Sequence, residues 1–331
     1  MHDWWLVKRN SSSHWIALAS VLAVGYLLLH HISYTQGYGN VPVSFSKSIW
    51  GLWTNFDDWS HGMFVPLISL ALVWKDRARL AKIPIRGENW ALAPLILSFA
   101  TFWLGFKADQ IYLGYVAIML FTASATLWLL GWKMFQAVMF PWAFLLFTWP
   151  LLFLESIIAF PLRLFMAEVS YRFLDLIGLD VIKQGSGILS APDFARGIEP
   201  GAKFQVDIAN PCSGIRSLFA LMMITCIYGH LFLTRWWTRW TIFALALPLA
   251  VLGNFFRILM LTFGTLWFGS KFAIGESLSN PSTYHMASGF AVFGVALLAM
   301  VTISAWLRRM EAPEAVPPDA PASMSKPNPA P

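Results

Sequence analysis

The sequence predicts an all-α polytopic membrane protein with about eight transmembrane helices, one amphipathic interfacial helix and a small extracytoplasmic β-hairpin. Of the 331 residues, 57% are hydrophobic and only 12% are charged, about half the roughly 25% charge of a soluble domain. In addition, eight apolar segments approach or reach the roughly 17 to 25 residues that a spanning helix needs. These two observations argue against a water-soluble enzyme, a disordered chain and a nucleic-acid binder.

The first apolar run is expected to be an uncleaved span, because no convincing small-residue cleavage site follows it. The second run is the shortest, at 16 residues. The predicted spans cover residues 15–32, 59–74, 90–106, 112–130, 134–153, 211–233, 241–267 and 285–307.

Basic residues predict the orientation of these spans. The connection after the second span holds five of them, whereas residues 33–58 hold Lys47 alone. By the positive-inside rule the first connection is cytoplasmic and the second is extracytoplasmic. Alternation then brings every basic cluster, and both termini, to the inner side: Lys75, Arg77, Arg79, Lys82 and Arg86, then Lys133, then Arg235 and Arg239, then Arg308 and Arg309.

Residues 155–179 do not fit the simple count. Arg163, Glu168, Arg172 and Asp175 interrupt the apolar residues, and each charge would cost roughly 2.5 to 3.5 kcal/mol in a lipid-facing span. We therefore expect an amphipathic helix along the outer interface. The alternative is a ninth span with its charges inside the bundle, which would invert every later helix.

Two segments have a composition unlike that of a span. Residues 180–210 combine Gly and Pro with short alternating runs, which predicts the small extracytoplasmic β-hairpin. Residues 310–331 are rich in Pro and Ala and are expected to form a disordered cytoplasmic tail. The integral membrane domain is accordingly predicted to comprise residues 1–309.

The densest motif for chemistry is NPCSGIRS, residues 210–217. Asn is a good N-cap and Pro is favoured at the first helical position, so Cys212 is expected in a first turn, where the helix dipole favours a thiolate. Arg216 lies one turn further on the same side. Cys212 is the candidate nucleophile, and its alternative is a buried inert cysteine. The candidate supporting or substrate-binding residues here are Ser213, Gly214, Arg216 and Ser217.

The second cysteine, Cys226, is expected to pack in the apolar interior. In one helix it would lie on the order of 21 Å from Cys212 at 1.5 Å per residue. A disulfide tolerates no more than about 7 Å between the two Cα atoms. Both cysteines are therefore expected to be free thiols.

Two later spans carry further candidates. Asn254 and Arg257 share one face of the seventh span, and an arginine inside the membrane is a functional candidate; snorkelling to the outer headgroups is its alternative. Ser282 or Thr283 can cap the eighth span and place His285 in its first turn. There the helix dipole disfavours the imidazolium, so a neutral His285 could accept a proton; a purely structural histidine is the alternative.

A fourth candidate, His61, lies in the segment DDWSHGMFVP at the start of the second span. It could be a second proton carrier or line a substrate-binding mouth. Trp59 as an interface anchor and Ser60 as a helix cap explain most of the segment without chemistry. No metal-ligand spacing or phosphate loop is found, so neither a metal nor a cofactor is expected.

In combination, WSHG, PCSGIRS, NxxR and a late His over roughly residues 59–307 resemble the exosortase and archaeosortase family of membrane-embedded cysteine transpeptidases. The resemblance implies Cys212 as nucleophile, Arg257 as transition-state support and His285 as acid/base. It also implies membrane-anchored substrates with a C-terminal sorting tail of the PEP-CTERM kind, and a link to exopolysaccharide or biofilm loci in Gram-negative bacteria. Any accessory protein is expected to be a separate chain.

Together with this resemblance, the sequence predicts a cysteine protease or transpeptidase at the periplasmic face of the membrane; the resemblance implies the bacterial inner membrane and C-terminal sorting tails as the substrates that it cleaves. The cleaved protein could pass to water or to another acceptor. Two alternatives of other classes stay open. One is a membrane transporter with Arg257 and His285 in a polar pathway, and the other is a non-catalytic scaffold for exopolysaccharide assembly.

Overall fold

The computed structural model of the chain describes residues 6–7, 11–34, 41–55, 57–149, 157, 160–207, 215–277 and 280–311, and these residues are mostly helical. The helices are α1 (Ser11–His30), α2 (Phe45–Asn55), α3 (Val65–Lys75), α4 (Arg77–Leu80), α5 (Leu92–Lys107), α6 (Ile111–Leu130), α7 (Trp132–Phe144), α8 (Phe160–Leu176), α9 (Ile215–Phe232), α10 (Trp236–Phe268), α11 (Ser270–Ala273) and α12 (Thr283–Glu311). The strands are β1 (Leu6–Val7), β2 (Ser33–Tyr34), β3 (Val43–Ser44), β4 (Gly87–Glu88), β5 (Val181–Gln184), β6 (Gly187–Ser190), β7 (Gln205–Asp207), β8 (Gly275–Ser277) and β9 (Asn280–Pro281).

Four helical stretches of the described residues are long and apolar enough to cross a membrane: Asn89–Lys107, Ile111–Leu130, Trp236–Phe268 and Thr283–Glu311. They correspond to the third, fourth, seventh and eighth predicted spans. Two further apolar helices, Trp15–His30 and Ser217–Phe232, are shorter and match the first and sixth. The chain is thus a multi-pass membrane protein, and the count of eight spans stays a prediction.

The second predicted span has a different local structure. Residues Asp57–Met63 form a 3-10 helix, and the α-helix begins only at Val65. Pro66 explains this start. A proline has no backbone N–H to donate to a hydrogen bond in the helix interior, and it is favoured in the first turn. Phe64 occupies the N-cap position, so the expectation that Ser60 caps this helix is wrong. The fifth predicted span similarly ends its α-helix at Phe144 and continues as a 3-10 helix to Thr148.

An aromatic core joins the N-terminal helices. Phe45 of α2 is fully buried and packs edge to face against Tyr115 and Trp149. Residues 33–58 are expected from the sequence to be a connection between spans, because the 11 residues of α2 are too few to cross a membrane. The role of this short helix in the core is therefore evident only from its packing against α5 and α6.

Helix α8 lies against α10 and a small sheet. One face of α8, with Met166, Ala167 and Leu174, is buried in a cluster that includes Ile258 of α10 and Ile188 of β6. Strands β5, β6 and β7 form a three-stranded antiparallel sheet, which is one strand more than the hairpin that the sequence indicates. Whether α8 lies in the interface stays a prediction.

A carboxylate ties α8 to the sheet. Glu168 pairs with Arg172 at 2.6 Å and also with Lys183 of β5. The hydrogen bond from Lys183, and then the one from Arg172, lower the pKa of the Glu168 carboxyl below its usual value. Two of the four charges that argued against a span therefore pair with each other on the exposed side of α8.

The basic clusters gather at one end of the molecule, which we call the basic end. The connection after α3 reaches α7, since the Arg79 guanidinium lies 3.5 Å from the Ala137 carbonyl oxygen. His230 at the end of α9 stacks on Phe140 of α7 with ring centroids 3.8 Å apart. Strand β1 pairs with β4 and brings the N-terminal segment to the same connection. These contacts bring the connection after α3, helix α7 and the end of α9 to one end, as the charge pattern predicts for them, while the cytoplasmic side of this end stays a prediction.

Glu311, the last residue of α12, contacts the start of α10. Its carboxylate accepts hydrogen bonds from the backbone amides of Thr234 and Arg235, at 2.8 and 3.0 Å, and from the hydroxyl of Thr238. These groups begin α10, so Glu311 satisfies helix-terminal amides that would otherwise lack partners. Helix α12 therefore continues two residues past the predicted domain end at 309, and residues 312–331 lie outside the described residues.

Candidate active site

Arg257 and His285 are brought together by the packing of α10 against α12. The Arg257 guanidinium lies over Gly289: a β-carbon added there would be 3.4 Å from its Cζ, Nε and Nη2 atoms. Gly289 is four residues after His285 and therefore on the same helix face. His285 is only 5% exposed and within electrostatic reach of Arg257. Two of the three predicted catalytic residues thus share one site.

The first turn of α12 positions His285. Its backbone amide donates a 3.0 Å hydrogen bond to the Ser282 hydroxyl, which confirms the predicted cap and the first-turn location. The Tyr284 hydroxyl donates to the Met260 carbonyl of α10 at 3.0 Å. The ring of Tyr284 also packs against Gly264, where a β-carbon would be 2.7 Å from it. These two contacts hold the start of α12 against α10.

Asn254 lies one turn before Arg257 on α10. It is 6% exposed, and its Nδ2 atom has no hydrogen-bond partner among the described residues. The neighbouring Gly253 makes a close approach to α12, where a β-carbon would be 3.0 Å from Val292. A buried amide donor beside an arginine inside a helix pair is costly unless something pairs with it.

The nucleophile candidate precedes helix α9 in the sequence. Cys212, Ser213 and Gly214 lie outside the described residues, as does the side chain of Arg216. Helix α9 begins at Ile215, three residues after Cys212.

The pairing of α9 with α10 gives the level at which α9 begins. These antiparallel helices meet at Gly229 and Arg239, where a β-carbon at Gly229 would be 3.6 Å from the Arg239 Cα. Fourteen residues back along α9 is Ile215, and fourteen residues on along α10 is Gly253, beside Asn254. Leu218 and Ala250, each eleven residues from the same crossing, belong to one buried cluster. The start of α9 therefore lies about one turn from Arg257 along the helix axis, and the half-buried Ser217 lies about one and a half turns from it.

His61 reaches the same end from the 3-10 helix. Its ring stacks on Phe219 of α9 at 5.5 Å, and Trp59 packs on Phe219 at 5.2 Å. Trp59 is 8% exposed, so it packs inside the protein, and the expectation of an interface anchor is wrong. Gly62 allows this arrangement, because a β-carbon there would be 2.5 Å from the Trp53 Nε1 atom.

Two residues of the site were not predicted. Gly289 holds the guanidinium, and Phe219 holds His61. The only signal for Gly289 was its spacing of four from His285, and for Phe219 its position one turn into α9. Cys226 behaves as predicted: it is a free thiol packed against a cluster with Val65, Phe144 and Met223.

Comparison with known proteins identifies a family. A family model described as transmembrane exosortase matches residues 53–302, about three quarters of the chain and all of the candidate residues. No curated protein matches the chain, and no solved structure does. The match covers well over half of the 331 residues. The chain therefore belongs to the transmembrane exosortase family.

Proposed function

We propose that this protein is a membrane cysteine endopeptidase or transpeptidase that cleaves the C-terminal sorting tails of membrane-anchored proteins. One observation carries the proposal: the Arg257 guanidinium lies on Gly289, one turn from His285, at the end of the molecule where α9 begins. Helix α9 begins at this level, three residues after Cys212 in the sequence. A thiol, a cation and an imidazole near one another are the parts of a cysteine nucleophile with its base and its oxyanion stabiliser.

Each residue then has a defined role. His285 accepts the proton of the Cys212 thiol, and the Sγ atom attacks the scissile carbonyl carbon. Arg257 stabilises the oxygen that becomes negative in the tetrahedral intermediate. The intermediate collapses to a thioester as the C–N bond breaks, and His285 returns the proton to the leaving amine. Water, or an amine or hydroxyl acceptor, then attacks the thioester and releases the thiol.

Supporting residues are proposed around this centre. The buried Nδ2 of Asn254 is a candidate donor to the substrate or the oxyanion, because a bound carbonyl would satisfy it. His61, stacked on Phe219, is proposed to line the substrate mouth together with Ser213, Gly214, Arg216 and Ser217. No metal or cofactor takes part in these steps.

The substrate class is what the resemblance to exosortases implies, and the location of the site supports it. The site lies at the end of the molecule opposite the basic clusters, which by the positive-inside rule is the periplasmic face of the inner membrane. A substrate anchored by its own C-terminal helix presents the peptide just outside that helix at this depth. We propose such tailed secreted proteins as substrates, and a separate protein of an exopolysaccharide locus as a possible accessory partner.

Mass spectrometry of a tailed substrate tests the activity. We expect a new substrate C terminus when the wild-type protein is co-expressed, and none with Cys212→Ala or Cys212→Ser. Cys226→Ala is the matched control and should process normally. Full processing by Cys212→Ala would overturn the mechanism, whereas processing without His285 would reassign the base, with His61 next in line.

Thiol labelling in intact cells tests the orientation. An impermeant maleimide is expected to reach Cys212 and to leave a cysteine at position 82, in a Lys82→Cys, Cys212→Ser protein, unlabelled until the cells are opened. Labelling of position 82 in unbroken cells would contradict the proposed topology.

A further inference from the structure

An open groove of about 620 Å³ lies at the basic end, away from the candidate active site. It is formed by the last turns of α3, by α4 with the residues that follow, and by Met134 at the start of α7. Its volume lies within the roughly 300 to 1,000 Å³ of ligand sites. The lining is almost wholly apolar, with Leu70, Trp74, Leu80 and Ile85 among its residues.

Positive charge surrounds this groove. Residues 75–86 hold five basic side chains against Asp76 alone, a net charge of +4. Arg79 is engaged with that carboxylate at 2.8 Å. Among the described residues, no carboxylate forms an ion pair with Lys75, Arg77, Lys82 or Arg86. The positive charge at the groove is therefore largely uncompensated within the part of the chain that the structure describes.

Arg77 joins the two features. It is the charged residue of the lining, its guanidinium lies 4.6 Å from the centroid of the Trp74 ring, and it donates a 3.0 Å hydrogen bond to the Trp74 carbonyl oxygen. Trp74 is 68% exposed, as is usual for a tryptophan at a membrane–water boundary. Lys82 lies between Ala81 and Ile83, which both line the groove.

We propose that this groove binds an anionic phospholipid, with an acyl chain on the apolar lining and the phosphate at Arg77 and Lys82. Basic pockets beside membrane helices recognise anionic headgroups in this way. A zwitterionic lipid would leave the positive charge uncompensated, and a soluble anion would leave the apolar wall in water. A protein segment with a basic flank would be repelled.

Native mass spectrometry of the purified protein in detergent tests the proposal, with dioleoyl phosphatidylglycerol and dioleoyl phosphatidylcholine as probes. We expect the wild type to retain phosphatidylglycerol preferentially. The double variant Arg77→Gln, Lys82→Gln should lose about fivefold in affinity for each cation removed and with it the preference, while its affinity for phosphatidylcholine stays the same. Phosphatidylglycerol should also raise the melting temperature of the wild type and not that of the double variant.

Two further variants sharpen the result. Ala71→Trp fills the apolar lining and should weaken the binding of both lipids. Lys107→Gln is the matched control. Lys107 also lies beside an aromatic ring, 5.7 Å from the Phe106 centroid, but at the other end of α5. This variant should retain the preference for phosphatidylglycerol. Equal retention of the two lipids by the wild type, or an unchanged preference in the double variant, would overturn the proposal. The proposal would also be overturned if a second protein chain occupied the groove of the wild type and Ala71→Trp displaced that chain.

Discussion

The contact between Arg257 and Gly289 can be tested by substitutions at Gly289, which leave all three proposed catalytic side chains unchanged. An alanine at position 289 would place its β-carbon 3.4 Å from three guanidinium atoms, which is ordinary van der Waals contact, so Gly289→Ala should retain activity within about threefold of wild type. A valine adds two γ-carbons about 1.5 Å further out, held near one rotamer by the helix. The guanidinium must then move by about 1 Å or more.

A displacement of this size has a known scale. Misplacement by 1 Å costs on the order of 10² in rate, and the loss of one oxyanion donor costs about 10² to 10³. We therefore expect Gly289→Val to slow processing by about 10² to 10³. Gly294→Val is the matched control on the same helix, because a β-carbon at Gly294 meets nothing within 4 Å.

The assay is the gel shift of a tailed substrate under single-turnover conditions, at matched levels of folded enzyme. Melting temperature and helical circular dichroism establish that both valine variants fold. If Gly289→Val processes the substrate as fast as Gly294→Val, Arg257 does not act from the position that this contact gives it, and the proposed site is wrong.

Four further outcomes are expected. Ser282→Ala removes the cap of α12 and should lower the free energy of unfolding by about 1 kcal/mol, measured by chemical denaturation in detergent, with a moderate loss of processing; an unchanged stability would show that the cap does not hold His285. Glu311→Ala removes charged hydrogen bonds worth roughly 1.5 to 3 kcal/mol each in favourable cases, so the melting temperature should fall clearly, and Glu311→Gln should fall less. Cys226→Ala should cost less than about 1.5 kcal/mol, as for other small changes of apolar volume, and a larger loss in the same titration would show a role beyond packing. Glu168 has a lowered pKa, so its pair with Lys183 stabilises the fold at pH values above the usual glutamate pKa of 4.5 and this contribution is lost as the pH falls through the lowered value; the melting temperature of Glu168→Gln should therefore converge with that of the wild type at acidic pH, and a constant difference would contradict the assignment.

Several features of the site could be predicted from residue types alone. The cap at Ser282 and the first-turn location of His285 follow from short-range hydrogen bonding that any helix start offers to a hydroxyl. The gathering of basic residues at one end follows from alternation of spans across a membrane. Both required only local chemistry or a rule that acts on the chain as a whole.

Other features depended on contacts between segments distant in sequence. Trp59 is buried because α9 presents Phe219, and Trp53 packs closely because Gly62 has no side chain. The short helix α2 is buried only because α5 and α6 close around Phe45. A pattern of hydrophobicity along one segment contains no information about what packs against it.

The sequence by itself determined that this is a membrane protein, and it indicated which residues are candidates for chemistry and which connections hold the basic residues. These properties depend on composition and on spacing within single helices, where neighbouring residues decide the outcome. Only the tertiary structure decided that Arg257 lies on Gly289 beside His285, that α9 begins at the level of Asn254, and that an apolar groove opens beside Arg77. These depend on the register between helices, which is set by the close packing of side chains from separate parts of the chain.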